Sequence, residues 1–206
     1  MTDAAYPPIS GSVLTAQRWA TNAELIEDVA RLGYLHGRVL DLTYGYGTFW
    51  KNWRPDDLTT NDLQSDKGEH HYDFRKTPWR SQDFDSVVFD PPYKLNGTPT
   101  EDVDERYGVN IPARWQDRMA LIYQGFAECL RLASTFALVK CMDQVVSGRK
   151  VWQPHLLTTR AELVGWRLED RFDMLVTPRP QPKGRRQVHA QSNYSTLLVF
   201  ENAANR

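Results

Sequence analysis

The chain has 206 residues, 41% of them hydrophobic, and includes seven Trp, nine Tyr and eight Phe. This composition excludes a disordered chain, because such chains contain few aromatic residues. The formal net charge of −1 neither favours nor excludes a nucleic-acid partner, but residues 140–206 carry 11 basic and 6 acidic residues, against 14 and 20 in residues 1–139. This asymmetry permits a basic face.

Targeting and metal-binding signals are weak. The first residues lack the basic and apolar regions of a secretory signal, and no apolar run approaches the roughly 18 residues of a membrane span. Cys129 and Cys141 are too few for a disulfide framework, and the adjacent His70 and His71 do not face one side of a strand or helix. We expect a cytoplasmic protein with one domain over residues 1–206 and no metal site.

Short apolar segments alternate with helical patterns along the chain. The predicted strands are 37–45, 56–63, 84–92, 135–141, 171–177 and 195–200. The predicted helices are 21–35, 115–133 and 153–166. Several of the strand segments are almost continuously apolar, which indicates strands covered by helices on both faces. The order predicts an α/β fold with a mostly parallel, doubly wound sheet.

The first predicted strand ends at Asp41 and leads into a glycine turn. Gly45 and Gly47 lack a Cβ, so a bound ligand can approach the backbone closely there. This arrangement favours a nucleotide-type pocket, although an ordinary strand-to-helix turn is the alternative. The third glycine of the dinucleotide fingerprint would fall at Trp50, which disfavours a pyrophosphate site.

Acidic residues follow at positions that suit the rest of a nucleoside. Asp62 lies 21 residues after Asp41, close to the offset at which an acid binds ribose hydroxyls. Farther on, Asp73 could accept a hydrogen bond from an adenine amine and Phe74 could stack on the ring. Taken alone, Asp62 would more often be a loop or cap residue.

The segment DSVVFDPPYKL contains an acid, two prolines and a tyrosine directly after an apolar strand. The proline pair ends the strand and removes two backbone donors, so carbonyl groups face outward. Open α/β sheets bind their ligands at this edge. Hydrogen bonds from an exocyclic amine to the Asp90 carboxylate and the Pro91 carbonyl would aim the nitrogen lone pair at an electrophile, and Tyr93 would stack on the base.

These motifs together resemble the S-adenosylmethionine-dependent amino-methyltransferases of DNA, which act on adenine N6 or cytosine N4. The catalytic motif of that family is (D/N/S)-PP-(Y/F/W), and its cofactor motif is typically D-P-F-x-G-x-G-T. The matching residues are Asp90, Pro91, Pro92 and Tyr93 for the first motif and Asp41, Gly45, Gly47 and Thr48 for the second. Leu42 and Thr43 replace the usual Pro-Phe.

The resemblance implies a Rossmann-like class I methyltransferase fold, with a mostly parallel seven-stranded sheet and helices on both faces. It implies S-adenosylmethionine as cofactor and direct methyl transfer to an amine, with Asp90 to Tyr93 as the catalytic motif. The implied cofactor-binding residues are Asp41, Gly45, Gly47, Thr48, Asp62, Asp73 and Phe74.

DNA is the expected partner. Four basic residues in the loop 178–187 are candidates for phosphate contacts, and by resemblance two polar residues before the last strand lie near a flipped base. These candidates are Arg179, Lys183, Arg185 and Arg186, followed by His189 and Asn193. The alternative for the basic group is a solvated loop.

Several functions remain open beside adenine-N6 methylation of DNA, which the leading Asp of the motif favours by resemblance. The same chemistry could act on RNA or on a protein glutamine, or the chain could be a catalytically silent binding subunit. A dehydrogenase is disfavoured by Trp50, and cytosine-C5 methylation by the sequence context of both cysteines. Only about 50 residues separate the two motifs, so no separate target-recognition domain fits between them. The sequence predicts short or relaxed specificity unless a second subunit or a homodimer contributes.

Overall fold

A six-stranded sheet organises the described part of the chain. The computed structural model describes residues 19–64, 66, 68–95, 112, 114–175 and 188–205. The sheet strands are β1 (Arg38–Asp41), β2 (Asp57–Thr60), β3 (Phe84–Phe89), β4 (Ala133–Cys141), β7 (Trp166–Leu175) and β8 (Tyr194–Asn202). Strands β5 (Gln144–Val146) and β6 (Arg149–Val151) form a separate antiparallel hairpin.

The strand order of the sheet is β2-β1-β3-β4-β8-β7. The pairs β1–β2, β1–β3 and β3–β4 are parallel, while β8 runs antiparallel to both β4 and β7. Five of the six strands therefore point the same way, and the predicted mostly parallel sheet is confirmed. Each predicted strand segment overlaps one of these strands, but β7 begins at Trp166, before the predicted position 171.

The sheet of the described residues has six strands rather than the seven that the resemblance implies. Beyond β2, at the edge where a further strand would pair, a single parallel bridge joins Asn61 to His70. The polar residues around His70 offer no apolar run, which explains why the pairing stops at one bridge.

Three helices cover the sheet: α1 (Asn22–Arg31), α2 (Trp115–Leu132) and α3 (Gln153–Leu163). Because strand side chains alternate between faces, the core forms two layers. The α1-side core contains Leu25, Ile26, Val39, Val88, Leu138 and Val199. The α2-side core contains Leu40, Val87, Ile122, Phe126, Val139 and Leu157. Helices on both faces are thus confirmed, and none of the helices in the described ranges is long and apolar enough to cross a membrane.

Helix α2 packs closely against two aromatic rings at Gly125. A Cβ at this position would lie 2.7 Å from Phe74 Cδ2 and closer still to Phe89. The rings of Phe74 and Phe89 contact each other, with centroids 5.4 Å apart. Gly125 therefore leaves the space that these two buried rings fill.

We expect Gly125→Ala to lower the free energy of unfolding by about 1 kcal/mol. Overpacking a core costs about 1–3 kcal/mol, and the better helix propensity of Ala offsets about 1 kcal/mol of that. Urea denaturation followed by circular dichroism measures the change. Ala120→Gly, at an exposed position of the same helix, measures the propensity contribution alone. A Gly125→Ala variant that is more stable than the parent chain would contradict the close packing.

Candidate active site

Three charged side chains lie on one face at the carboxyl edge of the sheet. The strand residues Val39, Val88 and Leu138 belong to the α1-side core. Two residues after each of them come Asp41, Asp90 and Lys140, respectively. Since β1, β3 and β4 are neighbours, these side chains form a row across three adjacent strands. The row lies where open α/β sheets bind ligands.

Asp41 and Asp62 fix the two ends of the glycine turn. The Asp41 carboxylate accepts hydrogen bonds from Trp50 Nε1 at 2.6 Å and from the Thr43 backbone N–H at 3.0 Å. The Asp62 carboxylate accepts one from the Gly45 N–H at 2.8 Å. The turn itself needs the left-handed region, because φ is +54° at Gly45 and +64° at Gly47. Thr48 follows as the first residue of a short 3-10 turn, Thr48–Trp50.

Burial of Asp41 changes its titration. Only 3% of the residue is exposed, and this burial raises the pKa of the carboxyl to about 7. The hydrogen bonds from Trp50 and Thr43 oppose that rise, while the negative charges of Asp90 and Asp62 add to it. The carboxyl edge therefore concentrates acidic groups that affect one another.

Asp90 lines a pocket and has one buried oxygen without a hydrogen-bond partner in the described ranges. The residue as a whole is partly exposed, but its Oδ1 atom is buried and has no hydrogen-bond partner within the described ranges. The Asp90 backbone N–H donates to Thr43 Oγ1 at 2.8 Å, so the Thr that departs from the family motif ties the catalytic motif to the glycine turn. The adjoining pocket has a volume of about 220 Å³ and is lined by Asp41, Thr43, Tyr44, Gly45, Tyr46, Thr48, Phe49 and Asp90.

Lys140 is a site residue that the sequence analysis did not identify. It is only 1% exposed, and its Nζ donates to Asn22 Oδ1 at 2.9 Å. Val139 pairs with Phe89, so Lys140 lies at the level of Asp90. Burial raises the pKa of Asp90 to about 6, and the charge of Lys140 opposes the rise. Burial lowers the pKa of Lys140 to about 8, which leaves the amine mostly protonated at neutral pH.

Hydrogen bonds from its own turn and from two glutamine side chains fix the backbone after Asp90. Pro91 and Pro92 are buried, and the Tyr93 N–H donates to the Pro91 carbonyl at 2.6 Å. The Tyr93 carbonyl accepts from Gln144 Nε2 and Gln153 Nε2, each at 2.7 Å. Both glutamines are buried, with exposed fractions of 8% and 0%. They too were missed, because no local pattern marks them.

The predicted adenine-binding pair is only partly supported by its position. Asp73 is partly exposed and forms a bidentate ion pair with Arg75, with Nε 2.9 Å from Oδ1, and this contact lowers the pKa of Asp73. Phe74 is 3% exposed and packs in the α2-side core between Phe89 and Gly125. A ring buried in this way presents little surface for stacking, and the roles of Asp73 and Phe74 at adenine stay predictions.

Two of the six predicted DNA-binding residues lie in the described ranges. His189 Nε2 is 2.9 Å from the Gly148 carbonyl oxygen, and Asn193 is exposed directly before β8. Because β8 runs antiparallel to β4, its start lies at the same carboxyl edge as the end of β4. Arg179, Lys183, Arg185 and Arg186 lie outside the described residues.

Neither cysteine is placed to act as a nucleophile. Cys129 and Cys141 are fully buried, and burial raises the pKa of both thiols.

A second pocket, of about 390 Å³, lies between α2, α3 and β7 and includes Tyr123, Arg160 and Trp166. It is larger than the pocket at Asp90 but contains none of the predicted site residues.

Comparison with known proteins supports the fold. No family model matches the sequence, and neither does any curated protein. A proposed RNA methyltransferase from Pyrococcus horikoshii has a similar structure, with a TM-score of 0.54, 12% identity, and coverage of 88% of this chain and 82% of that one. An S-adenosylmethionine-dependent methyltransferase from Archaeoglobus fulgidus is also similar, with a TM-score of 0.51, 11% identity, and coverage of 88% of this chain and 94% of that one.

The N-methyltransferase NodS from Bradyrhizobium japonicum, solved with S-adenosyl-L-homocysteine, is similar with a TM-score of 0.51 and 9% identity, over 87% of this chain and 85% of NodS. At such low identities the likeness concerns the fold alone. The chain has the Rossmann-like fold of the S-adenosylmethionine-dependent methyltransferases.

We expect Lys140→Met to raise the pKa of Asp90 above its value of about 6, because the substitution removes the positive charge that favours the carboxylate. Carbon-13 NMR of the Asp carboxyl groups, with the Asp90 signal assigned by its loss in Asp90→Asn, measures this shift. Asn22→Ala is the matched control, since it removes the hydrogen-bond partner of Lys140 but keeps its charge. An unchanged Asp90 titration in Lys140→Met would refute the coupling.

Proposed function

We propose that this protein transfers a methyl group from S-adenosylmethionine to the exocyclic amine of a base in DNA, most favourably N6 of adenine. The observation that carries the proposal is the Asp90 carboxylate. It lies at the carboxyl edge of a methyltransferase fold, has a buried unpaired oxygen, and faces a pocket shared with Asp41 and the glycine turn.

The residues around this pocket suit S-adenosylmethionine. The Asp62 carboxylate accepts hydrogen bonds from the Gly45 N–H and the Gln64 N–H, which hold it beside the glycine turn, where the family resemblance expects the ribose. Gly45 presents bare backbone to the pocket, and Thr48 and Asp41 border the same space. When bound, the cofactor supplies an electrophilic methyl group on a sulfonium, and the protein's own contribution is position and charge.

Asp90 is suited to activate an amine. The lone pair of an exocyclic amine is delocalised into the base, and a hydrogen bond from that amine to a carboxylate favours a more pyramidal nitrogen. The charge of Lys140 favours the ionised form of Asp90, which only accepts hydrogen bonds. The Pro91 carbonyl, which already accepts from Tyr93, has a second lone pair for the same amine. A pKa of about 6 also allows Asp90 to take up the proton that the nitrogen releases.

DNA is the preferred substrate for two reasons. The basic excess of residues 140–206 provides charge for phosphates, and by family resemblance an Asp at the start of the motif favours adenine in DNA. A base within a duplex must be flipped to reach Asp90, at a cost of a few kcal/mol. Without a separate recognition domain between the motifs, we expect short or relaxed specificity, or help from a second subunit.

The deciding experiment incubates the protein with tritiated S-adenosylmethionine and, in parallel, unmethylated DNA, total RNA and a protein extract. Nucleoside mass spectrometry then identifies the product. N6-methyladenine in DNA supports the proposal. Label in RNA or in protein would move the substrate while keeping the chemistry, and cofactor binding without transfer to any of the three pools would indicate a silent subunit.

Two substitutions separate catalysis from cofactor binding. Asp90→Ala should abolish methyl transfer and change the affinity for S-adenosylhomocysteine by no more than a few-fold, because Asp90 faces the amine. Asp62→Ala should weaken that affinity, since it removes both the predicted ribose contact and the anchor of Gly45. Isothermal titration calorimetry and a transfer assay measure the two effects. Asp56→Ala, at an exposed position before β2, is the control and should change neither. Full methyl-transfer activity of Asp90→Ala would refute the catalytic role of Asp90.

Replacing Arg185 and Arg186 with alanine should weaken DNA binding uniformly across sequences. Each lost phosphate contact reduces the slope of log affinity against log salt by about 1. Fluorescence anisotropy at several salt concentrations measures this slope, and the affinity for S-adenosylhomocysteine should stay the same. An unchanged slope would assign these two residues to a solvated loop.

A further inference from the structure

The hairpin β5–β6 projects beyond the carboxyl end of β4, beside the catalytic motif. Its turn, Ser147 and Gly148, is exposed and has positive φ angles of 50° and 76°. Gln144 begins the hairpin and Gln153 follows it, so the two side chains that donate to the Tyr93 carbonyl come from the two ends of this one element. Gln144 Oε1 also accepts from the Leu95 N–H at 3.0 Å. The hairpin is thereby fixed to the backbone on which Tyr93 stands.

Trp152, directly after β6, presents a large aromatic surface at a fixed position. It is 53% exposed, although its backbone is ordered by the hydrogen bond from the Leu156 N–H to its carbonyl at the start of α3. The Nζ of Lys150 lies 4.8 Å from the centroid of its ring, which is a cation–π distance. The exposed part of the indole is therefore accessible to a partner, with a cation beside it.

The charge around Trp152 is positive. Arg149 is exposed on β6, next to Lys150. Lys150 Nζ donates to the Ala190 carbonyl at 3.1 Å and to Ser192 Oγ at 2.9 Å. The hairpin therefore packs against the segment 188–193, which contains both of the described residues expected to contact DNA. Aromatic rings interleaved with Lys and Arg are the usual surface for an unstacked nucleic-acid strand.

We propose that Arg149, Lys150 and Trp152 form a DNA-binding surface that holds the strand next to the target base. Trp152 stacks on a neighbouring base, and Arg149 and Lys150 lie against the phosphates. The glutamine contacts keep this surface at a fixed distance from Tyr93, so the base beside the surface is brought to Asp90. The inference rests on the proposed function and assigns to the hairpin part of the role that a separate recognition domain between the motifs would have.

The test measures binding of fluorescein-labelled random-sequence DNA, single-stranded and duplex, by fluorescence anisotropy. Trp152→Ala should weaken binding between about 5-fold and 100-fold, the range for one lost stacking contact, and Trp152→Phe should retain most of the affinity. Arg149→Ala should reduce the salt slope by about 1. In all three variants the affinity for S-adenosylhomocysteine should stay within about two-fold of that of the parent chain, which is about the precision of such measurements.

Matched controls and the outcomes distinguish this inference from the proposed function. Leu163→Ala removes an 80% exposed apolar side chain on α3, and Arg80→Ala removes an exposed arginine before β3; neither should affect DNA affinity. A parent chain that methylates DNA, combined with unchanged binding in Trp152→Ala and Arg149→Ala, overturns the hairpin inference alone. Loss of S-adenosylhomocysteine affinity in Trp152→Ala also overturns it, because the role would then be structural. A parent chain that neither binds nor methylates DNA overturns both proposals.

Discussion

The burial of two carboxylates at the carboxyl edge is the constraint on which the site depends. An ionised group removed from water is costly unless hydrogen bonds or an opposite charge stabilise it. Asp41 is stabilised by two hydrogen bonds that come from its own turn, from Thr43 and Trp50. Asp90 has a buried oxygen with no such bond in the described ranges, and it depends on the charge of Lys140 instead. Asp41 is thus fixed within its own turn, whereas Asp90 keeps hydrogen-bonding capacity that nothing in the described ranges uses.

This difference links the site to distant parts of the chain. Lys140 is oriented by Asn22, the first residue of α1, so the helix that covers one face of the sheet also positions the cation beside Asp90. Thr43 joins the glycine turn to the end of β3 through the Asp90 N–H. A direct hydrogen bond therefore joins the two motifs that the sequence presents some 50 residues apart.

The elements that local sequence can specify were predicted well. Apolar runs located all six strands of the main sheet, and the order of acids and glycines placed Asp41, Asp62 and Asp90 at one edge of it. Tertiary contacts decide what the local sequence leaves open. Phe74 lies in an irregular segment with no periodicity, so only the packing against Gly125 shows that its ring faces the core. The sequence does contain a signal for Lys140, because a charged residue within the apolar run TFALVKC requires a partner when it is buried.

The two glutamines that hold Tyr93 could not have been found from sequence, because each acts through a residue more than 50 positions away. Their arrangement also bears on specificity. A methyltransferase with a separate recognition domain positions DNA through an interface between domains, and such interfaces permit relative motion. Here two buried side-chain amides connect an exposed hairpin directly to the catalytic backbone. On the proposed function, a surface fixed in this way would adapt little to different sequences. It would keep the distance from a bound strand to Asp90 constant, which would favour reliable transfer to one amine over discrimination among many sites.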